Sequence, residues 1–268
     1  MDPVFIYLRY RILIDGGYNN KKKKVPLTKA QIAHFNFHTT KAFEQILQRK
    51  TGQIIVEGIA AEGWAVVVMP YWRDDCNNTT VGRGEMVRGN GPNVVVGFLP
   101  DAPCAVDPKT KDFKPGGSPA ETLFHELVHA FRLVTEKASN RKGPSNVPGS
   151  SLKYPEYDTE EDFFTILITN IFSSETGRPL RAGHDRYEAL PSNLSTDAGF
   201  LAVEAYGRLV KQFCSDHPTV SRKLWNVRSA FNPIASVLSG QAYQRSLEYP
   251  AGALGGRPEE PDSALTAF

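Results

Sequence analysis

Residues 118–134, SPAETLFHELVHAFRLV, constrain the fold more than any other stretch of the chain. Ser118, Pro119 and Glu121 form a capping box with proline at the first helical position, so a helix starts here. Leu123, Phe124, Leu127, Val128, Phe131 and Val134 then cover much of the helix surface. That pattern predicts a helix buried at the centre of a domain rather than one lying on its surface. Yet the same helix carries His125, Glu126 and His129. Burying two imidazoles and a carboxylate is costly unless something satisfies them. The fold must surround this helix and give its polar groups partners.

His125-Glu126-Leu127-Val128-His129 is an H-E-x-x-H motif. Histidines at i and i+4 lie one turn apart on one face, so both imidazoles can meet a single ion. Glu126 is displaced about 100° round the helix from His125. It is too far round for a close third ligand but within reach of a water beside the ion. Zinc lowers the pKa of such a water to about 7, and a glutamate can then take its proton. His125 and His129 are thus the expected metal ligands, Glu126 the expected general base and Zn2+ the expected cofactor.

A catalytic zinc site needs three protein ligands and one open position. A second helix begins within YDTEEDFFTILITNIF, with Thr159 or Asp158 as cap and three acids suited to the helix dipole. Glu-type zincins take their third ligand from such a helix, which makes Glu160 and Glu161 the candidates. On a helical wheel Glu160 faces the middle of the Phe164, Leu167, Ile171 stripe, while Glu161 lies at its edge beside Ile168. A metal sits in a cleft at the margin of the core, and Thr165 follows Glu161 at i+4, where Glu-zincins keep a polar residue. Glu161 is therefore the third ligand expected, with Glu160 as the alternative.

The rest of the chain reads as sheet first and helices after, an α+β order. Residues 4–14 read as a strand, Asp15-Gly16-Gly17 as a turn, and 29–49 as a helix capped by Thr28. His34 and His38 on that helix lack a nearby third partner and read as surface or packing residues. Ile54-Ile55-Val56, Trp64 to Val68 and Asn93 to Phe98 read as strands. Residues 72–92 read as a loop or hairpin, and 101–117 as a loop with three prolines. Helices are expected over 119–137, 160–173, 197–216 and 219–240, with Pro218 separating the last two. The expectation is a zincin-like arrangement in one catalytic domain over residues 1–250: a small N-terminal mixed sheet, the active-site helix and a helical C-terminal half. Residues 251–268, rich in Gly, Pro, Ala and Glu, read as a flexible tail.

Net charge is +2, so a basic nucleic-acid surface is not expected. The run Lys21–Lys24 reads as a solvated loop, with a nuclear-targeting or anionic-lipid patch as the alternative. No stretch approaches a membrane span. Cys76, Cys104 and Cys214 are odd in number and widely spaced, which fits neither a disulfide framework nor a cysteine zinc site. Free thiols suit a reducing compartment. The N-terminal stretch, broken by Arg9 and Arg11, has no signal-peptide core. Without a secretory signal, the sequon at Asn77-Asn78-Thr79 carries little weight.

Three blocks in order, HELVHAFR, EEDFFTILITN and ETGRPLRAGHDRY, resemble the M91 family of NleD-like bacterial effector zinc peptidases. They cover about residues 118–190, roughly a quarter of the chain. The clostridial neurotoxin light chains are similar at the H-E-x-x-H helix and the downstream acid pair. The family has an EE-x-x-T segment, whereas this chain has one residue more between its acids and Thr165. The resemblance implies a zinc metalloendopeptidase delivered into another cell by a signal-independent export system; known members cut host signalling kinases, but the substrate does not carry over from motif residues alone. Otherwise the protein is expected in the cytoplasm. It also makes Arg181 and Tyr187 the candidates for stabilising the oxyanion. The expected protein is a monomer whose partner is its protein substrate, with no nucleic acid and no membrane. Three rival readings follow from the same residues. They are an inactive zincin-fold binding protein, a metal-free helical protein with a coincidental motif, and a zinc amidase acting on cell-wall peptide.

Overall fold

A computed structural model describes residues 5–18, 26–71, 80–83, 93–101, 105–144, 157–183 and 187–248. The architecture is α+β, with a small sheet from the first hundred residues followed by helices. The strands are β1 (Phe5–Tyr7), β2 (Ile12–Ile14), β3 (Ala65–Pro70), β4 (Thr80–Arg83) and β5 (Asn93–Phe98). They form one mixed sheet in the order β1-β2-β3-β5-β4. The middle three strands are parallel, and Val66, Val67 and Val68 of β3 face Val94, Val95 and Val96 of β5. A parallel strand in mid-sheet is covered on both faces, which explains the unbroken valine runs. Antiparallel β1 and β4 form the edges.

Parallel β2 and β3 need a crossover connection. Helices α1 (Lys29–Leu47) and α2 (Lys50–Ala61) provide it. Next come α3 (Pro119–Val134) and α4 (Glu160–Glu175), then α5 (Asp197–Leu201), α6 (Glu204–Asp216), α7 (Pro218–Trp225) and α8 (Pro233–Glu248). Helix α3 packs against α1, α2 and α4 and against β4 and β5, so it occupies the centre. No helix among the described residues is long and apolar enough to cross a membrane.

Four elements differ from the reading of the sequence. The helix expected over 197–216 is divided into α5 and α6, because Val203 takes an extended backbone (φ −77°, ψ 108°) between them. The strand expected over 4–14 is a hairpin, in which β1 and β2 pair across a 3-10 turn at Leu8–Tyr10. Tyr7 and Tyr10 flank the turn and both pack edge-on against Phe43, at 4.6 and 6.5 Å between centroids. Their shared contact folds the segment back on itself. Ile54, Ile55 and Val56, expected in a strand, lie on α2. Tertiary packing outweighs their β preference. Gly58 lets α2 pass close to α3, since a Cβ there would stand 2.9 Å from Cε2 of Phe131. The N-terminus of α2 is capped by Glu175 of α4, whose carboxylate accepts from Lys50 N at 2.7 Å and Thr51 N at 3.0 Å. Finally, the helix expected over 219–240 breaks between α7 and α8. Asn232 donates to the carbonyls of Leu224 and Val227 and accepts from Ala235 N, so one side chain closes α7 and opens α8. Residues 19–25, 72–79 and 249–268, which hold the lysine run, Cys76, the Asn77 sequon and the proposed tail, lie outside the described residues, as does Cys104. Cys214 is a buried free thiol.

The caps at the ends of the two central helices follow the sequence closely. Ser118 and Glu121 make both bonds of a capping box, as do Thr28 with Gln31 and Thr159 with Asp162. Helix α4 ends in a Schellman-type turn: Arg178 N donates to Ser173 O at 2.9 Å, and Gly177 takes φ +70°. Nothing lies within 4 Å of where a Gly177 Cβ would stand. Replacing Gly177 with alanine therefore tests the left-handed backbone alone. Denaturant unfolding of Gly177→Ala is expected to show a loss of about 1 kcal/mol with an unchanged m-value.

Candidate metal centre

Helix α3 is buried along almost its whole surface, including Glu121, His125, Glu126 and Arg132. Helix α4 runs antiparallel to it, and polar pairs link the two at several levels. At the start of α3, Glu121 is wholly buried. It accepts from Ser173 Oγ and from Arg178 Nε, each at 2.7 Å. At the far end, Arg132 Nε donates to Glu161 Oε2 at 2.7 Å. These contacts fix both the rotation of α3 and its position along α4.

Between those anchors lies the motif. His125, Glu126 and His129 each offer a ligand atom, and these atoms lie within 4.8 Å of one another. The imidazoles of His125 and His129 stand edge to face, with centroids 4.8 Å apart. His125 Nε2 is 4.0 Å from Glu126 Oε1, and both side chains are buried. His129 Nδ1 donates to Glu161 Oε1 at 3.2 Å and stands 3.2 Å from Thr165 Oγ1. An ionised carboxylate only accepts, so this contact puts a proton on Nδ1; an ion shared by His129 and Glu161 would take the place of that proton.

The two glutamates at the start of α4 part company. Glu161 meets His129 and Arg132, and also accepts from Ser139 N at 3.3 Å. Glu160 turns to the loop after α3, with Oε2 at 2.8 Å from Arg141 Nε and 3.3 Å from Ser139 Oγ. Thr165 stands beside His129, one turn after Glu161. His34 pairs with Asp101 on the surface at 2.6 Å and stacks on His38.

Arg181 and Tyr187 come together, with the guanidinium carbon 4.4 Å above the tyrosine ring. Asn170 of α4 holds the Arg181 backbone on both sides: it accepts from Arg181 N at 2.8 Å and donates to Arg181 O at 2.9 Å. The pairs Glu121–Ser173 and His129–Thr165 set the register of the two helices, which puts Asn170 level with Phe124 and His125. The neighbouring residues 184–186 lie outside the described residues.

Charge at the site follows from these contacts. Burial alone would lower the pKa of His129. The hydrogen bond to Glu161 and the charges of Glu126, Glu161 and Asp162 outweigh it and raise the value above the usual one. Burial would raise Glu161, but His129 and Arg132 hold it below the usual carboxylate range. Two imidazoles with carboxylates beside them form the nitrogen and oxygen donor set that zinc takes, whereas calcium and magnesium prefer oxygen alone. The residues present fit zinc.

Arg132 and His217 were not singled out from the sequence. Arg132 has one legible signal, a charge on a helix that is apolar all round, which demands a partner. His217 has none, because it reaches the site from the junction of α6 and α7 and approaches Arg132 Nη1 at 3.3 Å. No protein-family model matches the chain, and no curated protein matches it in sequence.

Burial, then the positive charges of Arg132 and Lys137, push His217 down to about 3, against a smaller opposite pull from Glu161. The unfolded chain takes up a proton at this ring near pH 6.5 and the folded protein does not. Stability from this group is therefore complete above about pH 6.5 and is lost as pH falls from there toward 3. Thermal unfolding in a chelating buffer should show the wild-type midpoint falling more steeply between about pH 7 and 5 than that of His217→Asn. Equal slopes would contradict a neutral buried His217.

Proposed function

We propose that this protein is a zinc-dependent endopeptidase with a zincin-like catalytic domain. One observation carries the reading: His125, Glu126 and His129 converge within 4.8 Å on a buried helix. The residues that would hold the ion are His125, His129 and Glu161. Of the two acids opening α4, Glu161 is the one in contact with His129, whereas Glu160 pairs with Arg141. Zinc, when bound, supplies polarisation of a peptide carbonyl and acidification of a water molecule.

The chain's own residues supply the rest. Glu126 takes the proton from the attacking water and delivers it to the leaving amine. Its carboxylate is buried beside His125, away from bulk solvent, so the proton it takes stays in the site. Glu161 and Thr165 hold the His129 ring from its Nδ1 side. Arg181, with Tyr187 stacked beneath its guanidinium, is the donor proposed for the charge that develops on the carbonyl oxygen. The motif resemblance supports action on a protein of another cell, reached through signal-independent export, and the enzyme is proposed to act as a monomer.

Glu126→Gln is expected to bind zinc like the wild type and to lose cleavage by at least about a hundredfold. Cleavage-site profiling on a host-cell lysate and metal analysis of the same preparations read both quantities. Persistent cleavage by Glu126→Gln would sink the assignment. Glu161→Ala should lose zinc and Glu160→Ala should keep it; the opposite pattern moves the third ligand to Glu160.

A further inference from the structure

Arg132, like Glu121, is a charge enclosed with no solvent exposure, and it lies one turn beyond His129 on α3. Each guanidinium nitrogen faces an acceptor from a different part of the fold. Nε donates to Glu161 Oε2 of α4 at 2.7 Å. Nη2 donates to the Lys137 carbonyl in the loop after α3 at 2.5 Å. Nη1 stands 3.3 Å from Nε2 of His217, at the junction of α6 and α7. The ring of Phe164 lies beneath the plane, 4.1 Å from Cζ.

We propose that Arg132 is a positioning residue of the metal centre: it holds Glu161 against His129 and is itself held by His217. This rests on the zinc reading above. Three features support it. First, Glu161 divides its oxygens, with Oε1 on His129 and Oε2 on Arg132, so the guanidinium sets where the other oxygen points. Second, a neutral acceptor is the right partner for Nη1. A carboxylate at that place would share the guanidinium charge with Glu161, whereas His217 stays neutral and leaves that charge to the glutamate. His217 is wedged between Phe131 and Phe213, at 4.7 and 4.9 Å between centroids, so it cannot swing away without disturbing the core. Third, only a planar fork meets three acceptors around one plane, which a lysine ammonium on a flexible stem cannot do. Partners behind metal ligands commonly alter affinity about 10- to 100-fold when removed.

The test uses the full chain stripped of metal and reloaded with zinc, in competition with a chromophoric chelator. The visible spectrum of the cobalt-substituted protein reports ligand geometry. Arg132→Lys and Arg132→Gln should weaken zinc binding about 10- to 100-fold and alter the cobalt spectrum. His217→Leu should weaken zinc about tenfold, while His217→Asn, which keeps an acceptor oxygen, should stay close to wild type. Folded Arg132→Lys with wild-type zinc affinity and spectrum would overturn the inference. So would His217→Asn falling as far as His217→Leu, because packing alone would then explain both. If the Arg132 variants do not fold, the His217 pair decides. A wild-type protein that takes up no zinc would instead overturn the zinc reading and this inference with it.

Discussion

Everything in this structure depends on a helix with no free side. Thirteen of the sixteen residues of α3 are buried, among them two glutamates, a histidine and an arginine. Water cannot satisfy those groups, and an unpaired buried charge is among the most destabilising features a fold can have. The charges at the two ends of the helix are met by other elements. Glu121 is met by Ser173 and Arg178, and Arg132 by Glu161, Lys137 and His217. The contacts lie at both ends of the helix. The motif in the middle inherits its placement from them.

The division of labour between apolar and polar contacts is clear along α3 and α4. Phe124 stacks on Phe172 at 4.5 Å, and both are almost wholly buried. Such burial drives the helices together but leaves rotation loosely specified. Polar pairs at fixed levels remove that freedom, since a slip of one residue would strand several buried charges at once. The same logic explains α2, which has no side-chain cap of its own and takes one from Glu175.

Local chemistry was legible in the sequence wherever it was local in the chain. The capping box at Ser118, the helix starts at Thr28 and at Thr159 or Asp158, and the valine strands around Val66 and Val94 all follow from neighbours within a few residues. So does the meeting of His125, Glu126 and His129, because helical spacing dictates it. Failures arise where a distant partner decides. Ile54-Ile55-Val56 looks like a strand until Glu175 caps the helix and Gly58 admits Phe131. The stretch 4–14 looks like one strand until Phe43 receives two tyrosines. Asn232 interrupts a long periodic pattern by bonding backward to Leu224. Nor can a sequence show His217 beside Arg132, since 85 residues separate them. The choice between Glu160 and Glu161 rested on a helical wheel, and the structure separates the two by their neighbours, His129 for one and Arg141 for the other.

The distance along the chain between Arg132 and His217 also bears on the order of assembly during synthesis. A nascent chain that has emerged from the ribosome through residue 134 already carries both histidines and the glutamate of the motif. It lacks Glu161, Glu175, Arg178 and His217, so its central helix has nowhere to place its charges and α2 has no cap. The residues that look most like a finished site are thus made well before their surroundings. Closure of the centre is a late event, waiting on a histidine in the last quarter of the polypeptide.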